Sequence, residues 1–334
     1  MLNASAYPHL RSNLTTAVVM GDVAIALLPA LLFGVFVFGL PALLVIVVSA
    51  VTCVLTEYLY QRLMKLPITA GDGSALVTGL ILAMNMPATV PLWVPALGGV
   101  FAILIVKQVF GGVGQNIMNP ALAARCFLLI SFPALVGGSM PAVGNLFGAD
   151  MWQGFAQRMT TLTLDATATA TPLQLLKEGG KVDLLQAFLG LHSGCIGETS
   201  TLAILIGFAY MLLRGVVSPR IPVTHGAFTV LFVLLFHMAA GNGVPSANYL
   251  LGQLCTGGLL AGAVFMATDY VTSPITAAGQ VLYGILLGLL TALFRVFGSA
   301  AEGVSYAIII GNTMVPLLEK VTMPRAFGKR GVAR

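Results

Sequence analysis

Runs of about twenty apolar residues recur along this chain, and each is long enough to cross the hydrocarbon core of a bilayer as one helix. Seven are clear: 18–38, 41–63, 92–110, 202–217, 222–240, 249–268 and 280–297. Three more, 74–86, 119–132 and 306–321, are short or interrupted, the last by Gly311, Asn312 and Pro316. Between them little charge remains. Only 8% of the 334 residues are Asp, Glu, Lys or Arg, against 58% hydrophobic, where a soluble domain carries about 25% charged. That excludes the soluble enzyme folds of this length. The expectation is an all-α integral membrane protein of about ten transmembrane helices, some broken.

The few charges set an orientation. With the N-terminus inside, eleven basic residues fall on inner segments and four, Arg158, Lys177, Lys181 and Arg295, on outer ones. Cytoplasmic loops carry the Lys/Arg excess, so both termini are expected in the cytoplasm and 133–198 outside, in the periplasm. The net charge of +5 is thus topological, and no basic run with interleaved aromatics points to nucleic acid. The first run holds Asp22 and has no small-residue cleavage site after it, so it reads as a retained helix. Four cysteines without metal-like spacing argue for neither a disulfide framework nor an iron–sulfur cluster.

The chain also repeats itself. Ser74 to Met84, followed by Asn85-Met86-Pro87, resembles Gly258 to Met266, followed by Ala-Thr-Asp269. Gln108-Val-Phe-Gly111 matches Arg295-Val-Phe-Gly298, and Asn116-Ile-Met-Asn-Pro120 matches Asn312-Thr-Met-Val-Pro316. Two halves of five spans each, the second inserted upside down, would follow. The domain reading is 1–132 for the first repeat, 133–198 for an extracytoplasmic loop and 199–334 for the second repeat. Inverted repeats with broken helices place a binding site where the halves meet, because unwound backbone at membrane depth survives only when buried or lining a cavity.

The outer loop is threonine-rich, with six in the twelve residues from Thr160 to Thr171. Composition alone is consistent with a β-prone or modified loop. Thr171 stands out because Pro172 suits the first position of a helix, which makes Thr171 the expected N-cap. An anion esterified there would face free backbone N–H groups and the positive end of the helix dipole.

These residues carry a resemblance. Met20 with Val23-Ala-Ile-Ala-Leu-Leu-Pro29, Gly111-Gly-Val-Gly-Gln-Asn116-Ile-Met-Asn-Pro120, Asp165 with Ala170-Thr171-Pro172-Leu173, and Phe265-Met-Ala-Thr-Asp269-Tyr-Val-Thr-Ser273-Pro274 lie in order across nearly the whole chain. The sequence resembles the D subunit of Rnf-type ion-translocating electron-transport complexes, a relative of the B subunit of the sodium-pumping NADH:quinone reductase. The resemblance implies FMN joined through its phosphate to Thr171. Ala168 and Thr169 depart from the usual Ser/Thr-Gly pair, which leaves Thr169 as the alternative attachment point. Asp165 fits the upstream acid of the motif. The resemblance further implies attachment by an exported flavin transferase and residence in the bacterial inner membrane. It also implies partnership with other Rnf subunits, including a second covalent-FMN subunit and further membrane subunits.

A second flavin, riboflavin bound without a covalent link, is implied toward the inner side. Asp269, Thr272, Asn116 and Gly112 are the candidates, at repeat-related breaks. Asp269 has two other readings, a cap of the ninth helix or a partner of Lys107. Asp22, Glu57, Asp72 and Glu302 read as caps near helix ends, and His225 and His237 as hydrogen-bonded packing residues. No side chain is assigned a catalytic or metal-binding role. The function expected is electron transfer through these flavins within a ferredoxin:NAD-linked translocase. The chain alone would not be a complete enzyme, because it has no nucleotide-binding or iron–sulfur motif. The competing class is an inverted-repeat transporter or channel without a redox cofactor.

Overall fold

The computed structural model describes residues 15–137, 151–161, 171–241, 243–298 and 303–324. Among them the chain is all helix. Helix α1 (Thr16–Phe38) starts on Thr15, whose hydroxyl accepts from Val18 N, and ends at Gly39. Gly39 adopts φ +74°, and a Cβ there would overlap the Arg158 backbone. With Pro41 in its first turn, α2 (Leu40–Leu63) starts at once. Exposed residues on both helices are as apolar as buried ones, Leu32 and Val51 among them. Such a face suits lipid, not water.

The next helices are shorter. Helix α3 (Ser74–Met84) begins on Gly73, which is left-handed at φ +80°, and buries ten residues. The N-cap position is Gly73, which has no side chain to offer, and Asp72 Oδ1, one residue earlier, accepts from Ser74 N at 2.8 Å. Gly79 lets α3 approach α2 closely, with Ser49 Oγ donating to Gly79 O at 2.8 Å. Helix α4 (Trp93–Phe101) widens into a π-helical turn, Ala102–Gln108. Helix α5 (Pro120–Ser131) is capped by Asn119, and α6 (Pro133–Val136) is a single turn. Outside these lie α7 (Met151–Thr160), α8 (Pro172–Lys177) and α9 (Leu184–Leu189).

Helices α10 (Thr201–Leu213) and α11 (Arg220–Ala239) follow. Next come α12 (Ala247–Cys255) and α13 (Leu259–Ala261), which continues as π-helical Gly262–Met266. The long helices α14 (Ala277–Phe297) and α15 (Val304–Thr322) complete the set. Among the described residues five helices are long and apolar enough to span a membrane, or six with the bent pair from Ala247 to Met266. Four more apolar helices, α3, α4 with its π turn, α5 and α10, are shorter. The chain is a multi-pass membrane protein.

Two expectations about broken helices are corrected. The run 249–268, expected as one helix, bends by 50° at a break. Gly257 and Gly258 there take φ +68° and +65°. Arg295 on α14 donates to the Gln253, Thr256 and Gly257 carbonyls that the break leaves without helical partners. A buried cation at a helix C-terminus satisfies both the acceptors and the dipole. Conversely, 306–321 forms one continuous helix through Gly311, Asn312 and Pro316. A proline removes one intrahelical bond, which a packed transmembrane helix tolerates when neighbours supply partners.

The end of α3 is closed from outside. Met84 O and Met86 O accept from Gly197 N at 2.9 Å and Ile196 N at 3.0 Å. A Cβ on Gly197 would overlap Met84 Cγ and crowd its Cβ. Gly197→Ala is therefore expected to cost about 1–3 kcal/mol through overpacking. The check is a lower thermal midpoint in detergent together with faster labelling of the buried Cys195; unchanged values would contradict the fit described.

Candidate functional site

Thr171 is the N-cap of α8, with φ −65° and ψ 151°, and its Oγ accepts from Gln174 N at 3.3 Å. Pro172 occupies the first turn. Leu173 and Leu176 are buried and pack on Gly257 and Gly252, beside the break between α12 and α13. Lys177 donates to Gly298 O at the end of α14. The segment after Thr171 is thus anchored on the membrane helices, while Thr171 itself stays half-exposed. Its hydroxyl oxygen sits where a phosphoester would meet first-turn N–H groups. Asp165 and Thr169 lie outside the described residues.

Elsewhere a cleft gathers residues from α1, α3, the π turn after α4, the start of α5 and the segment after Met266. Asn116 and Asp269 both line it, with Ser74, Thr78, Lys107 and Asn119 as further polar groups. Val77, Ile81 and Phe265 form apolar wall. The cavity measures about 80 Å³. Pockets that enclose drug-sized ligands run from roughly 300 to 1,000 Å³, so a flavin held here would lie mostly in the open mouth of the cleft.

Local chemistry shapes this cleft. Asp269 Oδ2 accepts from Thr272 Oγ1 at 3.2 Å and Oδ1 from Val271 N at 3.5 Å. Burial pushes the Asp269 carboxyl up from its ordinary value, against these two donors. Thr272 therefore acts behind Asp269 and does not line the cleft. Gly112, at φ +94°, donates to Lys107 O at 3.0 Å. It shapes the turn and lies off the lining. Both π turns end here, Gln108 on one side and Met266 on the other. Single π turns inside α-helices concentrate at functional sites.

Lys107 does not pair with Asp269. Its ammonium lies 2.8 Å from Glu57 Oε1 and 2.9 Å from Oε2, with both side chains buried. Nor does Asp269 cap a helix, since its bonds close a local turn. Glu57 is not a cap either, because its distant partner Lys107 supplies the compensation that burial demands. Asp22 likewise pairs across the fold with Arg214 at 3.1 Å and accepts from Tyr210 Oη at 2.9 Å. His225 does meet Thr291 Oγ1 at 3.0 Å, and His237 Gly243 O at 3.1 Å. Glu302 lies outside the described residues.

A buried amide network that the sequence did not reveal adjoins the cleft at Asn119. Asn119 Nδ2 donates to Met266 O at 3.3 Å. With the Asn312 amide oriented to satisfy its neighbours, its oxygen accepts from Asn119 N at 3.1 Å and its nitrogen donates to Tyr283 Oη at 2.6 Å and Thr272 O at 3.3 Å. Asn85 accepts from Arg125 and donates to Ile81 O at 2.7 Å. Polar residues inside apolar runs were the available signal for Asn85, Asn119 and Asn312; no spacing identified their partners.

Residues 3–328 match the NQR2, RnfD, RnfE family. The chain belongs to this family. It is 43% identical over 332 residues to the D subunit of the Na(+)-translocating ferredoxin:NAD(+) oxidoreductase complex of Acetobacterium woodii, covering 98% of this chain and 95% of that protein. It is 36% identical to the D subunit of the proton-translocating ferredoxin:NAD(+) oxidoreductase complex of Clostridium ljungdahlii, covering 98% and 96%. Against the D subunit of the ion-translocating oxidoreductase complex of Stutzerimonas stutzeri the identity is 36%, over 93% and 92%. Each of these relatives is named as the D subunit of an ion-translocating oxidoreductase complex.

Proposed function

We propose that the chain is the D-type membrane subunit of a ferredoxin:NAD-linked, ion-translocating complex. In this reading it holds FMN covalently on Thr171 outside and riboflavin non-covalently in the inner cleft. Bound flavin supplies one- and two-electron chemistry, and the protein supplies position and electrostatics. Thr171 would provide the ester oxygen, with Asp165 as the motif's upstream acid and Pro172 fixing the helix start. Asp269 and Asn116 would accept from or donate to the ribityl hydroxyls and ring edge of riboflavin, Thr272 would orient Asp269, and Gly112 would set the adjoining turn.

The observation that carries the reading is the meeting of Asn116 and Asp269, far apart in sequence, in one apolar-walled cleft. Geometry along α14 supports two separated sites. Gln280 bonds to Ser218 beside the inner segment, whereas Arg295 reaches Gly257 beside the anchor of α8. Fifteen residues of helix put these ends about 22 Å apart. The ten apolar helical segments support a ten-pass chain in two inverted sets of five. Left-handed Gly73 and Gly258 begin corresponding buried helices. The positive-inside charge count supports both termini in the cytoplasm and residues 133–198 in the periplasm. There a flavin transferase and a second covalent-FMN subunit would meet them.

Asp269→Ala is expected to keep the covalent flavin and lose at least about 90% of the extractable flavin, since one lost charge-assisted bond is worth about 1.5–3 kcal/mol. Chromatography of the acid extract measures it. Extractable flavin at the wild-type level would remove Asp269 from the site. A purified chain that stays colourless after co-expression with its flavin transferase would favour the transporter class instead.

A further inference from the structure

A separate cavity of about 520 Å³ lies where the segment after α8 meets the ends of α11 and α14 and the start of α12. That volume is in the range of ligand pockets. Its walls are fixed. Leu176 packs on Gly252 of α12, and Asn248 of the same helix pairs with Val182 in both directions, at 3.3 and 2.9 Å. Between these anchors the loop turns at Gly179, with φ +83°. Among the described residues lining the cavity are three cations, Lys177, Lys181 and Arg295, and one acid, Glu178. Arg295 is buried and donates to the carbonyls at the break after α12. Lys177 donates one N–H to Gly298 O, which leaves two of its three for a ligand. Glu178 is drawn back along α8, where its Oε1 accepts from Gln174 Nε2 at 3.5 Å. Val244 and Val296 also line the space, so it is cationic in one part and apolar in another.

Position narrows the ligand class. Helices α11 and α14 are long and apolar enough to span a bilayer, and the cavity sits at their ends. Exposed residues near those ends are still apolar, Leu235 and Phe297 among them. Hydrocarbon gives way to the polar headgroup layer where spans end, and lysine stems cross that boundary with their charge in the polar layer. We propose that this cavity is a specific site for an anionic phospholipid. Its phosphate would sit on Lys177 and Lys181, and its first acyl carbons on Val244 and Val296. Lysine binds phosphate as a point charge, and basic pockets between membrane helices take anionic headgroups. A free phosphate would use the lysines and leave the apolar part unfilled. A lipid seated here ties the segment that follows Thr171 to three membrane helices at once.

The test uses the full-length chain, delipidated in mild detergent and titrated with dioleoyl phosphatidylglycerol or dioleoyl phosphatidylcholine. Native mass spectrometry counts the lipid retained. The wild type is expected to keep one phosphatidylglycerol and to prefer it over phosphatidylcholine by about tenfold. Lys177→Gln combined with Lys181→Gln should weaken phosphatidylglycerol binding about 25-fold, at about fivefold per lysine. Glu178→Gln removes the opposing charge and should strengthen binding about fivefold by the same measure. A gain in Glu178→Gln separates charge recognition from loss of structure, which can only weaken binding. Equal retention of the two lipids by the wild type, unchanged affinity in the double-lysine variant, or weaker binding in Glu178→Gln overturns the proposal. Displacement of the lipid by stoichiometric inorganic phosphate would assign the cavity to a free anion and overturn the lipid site. If the double-lysine variant fails to accumulate, the wild-type preference and Glu178→Gln decide.

Discussion

Thr171→Ala, co-expressed with its flavin transferase, is expected to run as a non-fluorescent band on a denaturing gel where the wild type fluoresces. The expected loss is complete, because a phosphoester needs a hydroxyl and alanine has none. The protein itself should survive the change. Losing an N-cap costs about 0.5–2 kcal/mol, and α8 remains anchored through Leu173 and Leu176 on Gly257 and Gly252. The same gel on Thr169→Ala separates the two candidate threonines. A band that persists in Thr171→Ala and vanishes in Thr169→Ala moves the site by two residues. A mass spectrum of the loop peptide, carrying or lacking the FMN adduct, identifies the residue directly. Because the inner cleft holds its ligand independently in this reading, Thr171→Ala should keep its extractable flavin.

The second large effect concerns the buried ion pair. Lys107→Met leaves Glu57 at 0% exposure without its cation, and breaking a buried pair from one side costs about 3–5 kcal/mol. Glu57→Leu with Lys107→Met removes both charges, and replacing a buried pair by apolar residues is often neutral or stabilising. The double variant is thus expected to unfold later than the single, a strong departure from additivity. Thermal midpoints in detergent for wild type, both singles and the double give the coupling directly. Additive midpoints would mean that the two charges act independently, contrary to a contact of 2.8 Å.

Much of the architecture was legible because lipid demands a simple code. Long apolar runs name the spans, and scarce charges suggest the orientation. The breaks were harder. Gly257 and Gly258 resemble ordinary small residues in an apolar run, and only Arg295, some forty residues on, reveals that carbonyls there need partners. Asn312 and Pro316 suggested a break that does not occur, since Tyr283 and Asn119 take up the Asn312 amide. Thr171 was legible as a cap because the Thr-Pro step is a local signal. Asp269 and Asn116 were legible as polar residues in apolar surroundings. The Lys107 partner was not, because Glu57 lies fifty positions away and nothing local marks the pairing.

The closure of α3 by Ile196 and Gly197 also constrains the order in which this molecule can be built. The Met84 and Met86 carbonyls find these partners more than a hundred residues downstream, and unsatisfied carbonyls are poorly tolerated in hydrocarbon. A nascent chain that has inserted its first five apolar segments is therefore unfinished at its centre until residue 197 has been synthesised and delivered. Separately produced N-terminal and C-terminal fragments would each lack something the other holds. The first set of helices is closed only by a segment that lies beyond it, at the threshold of the second.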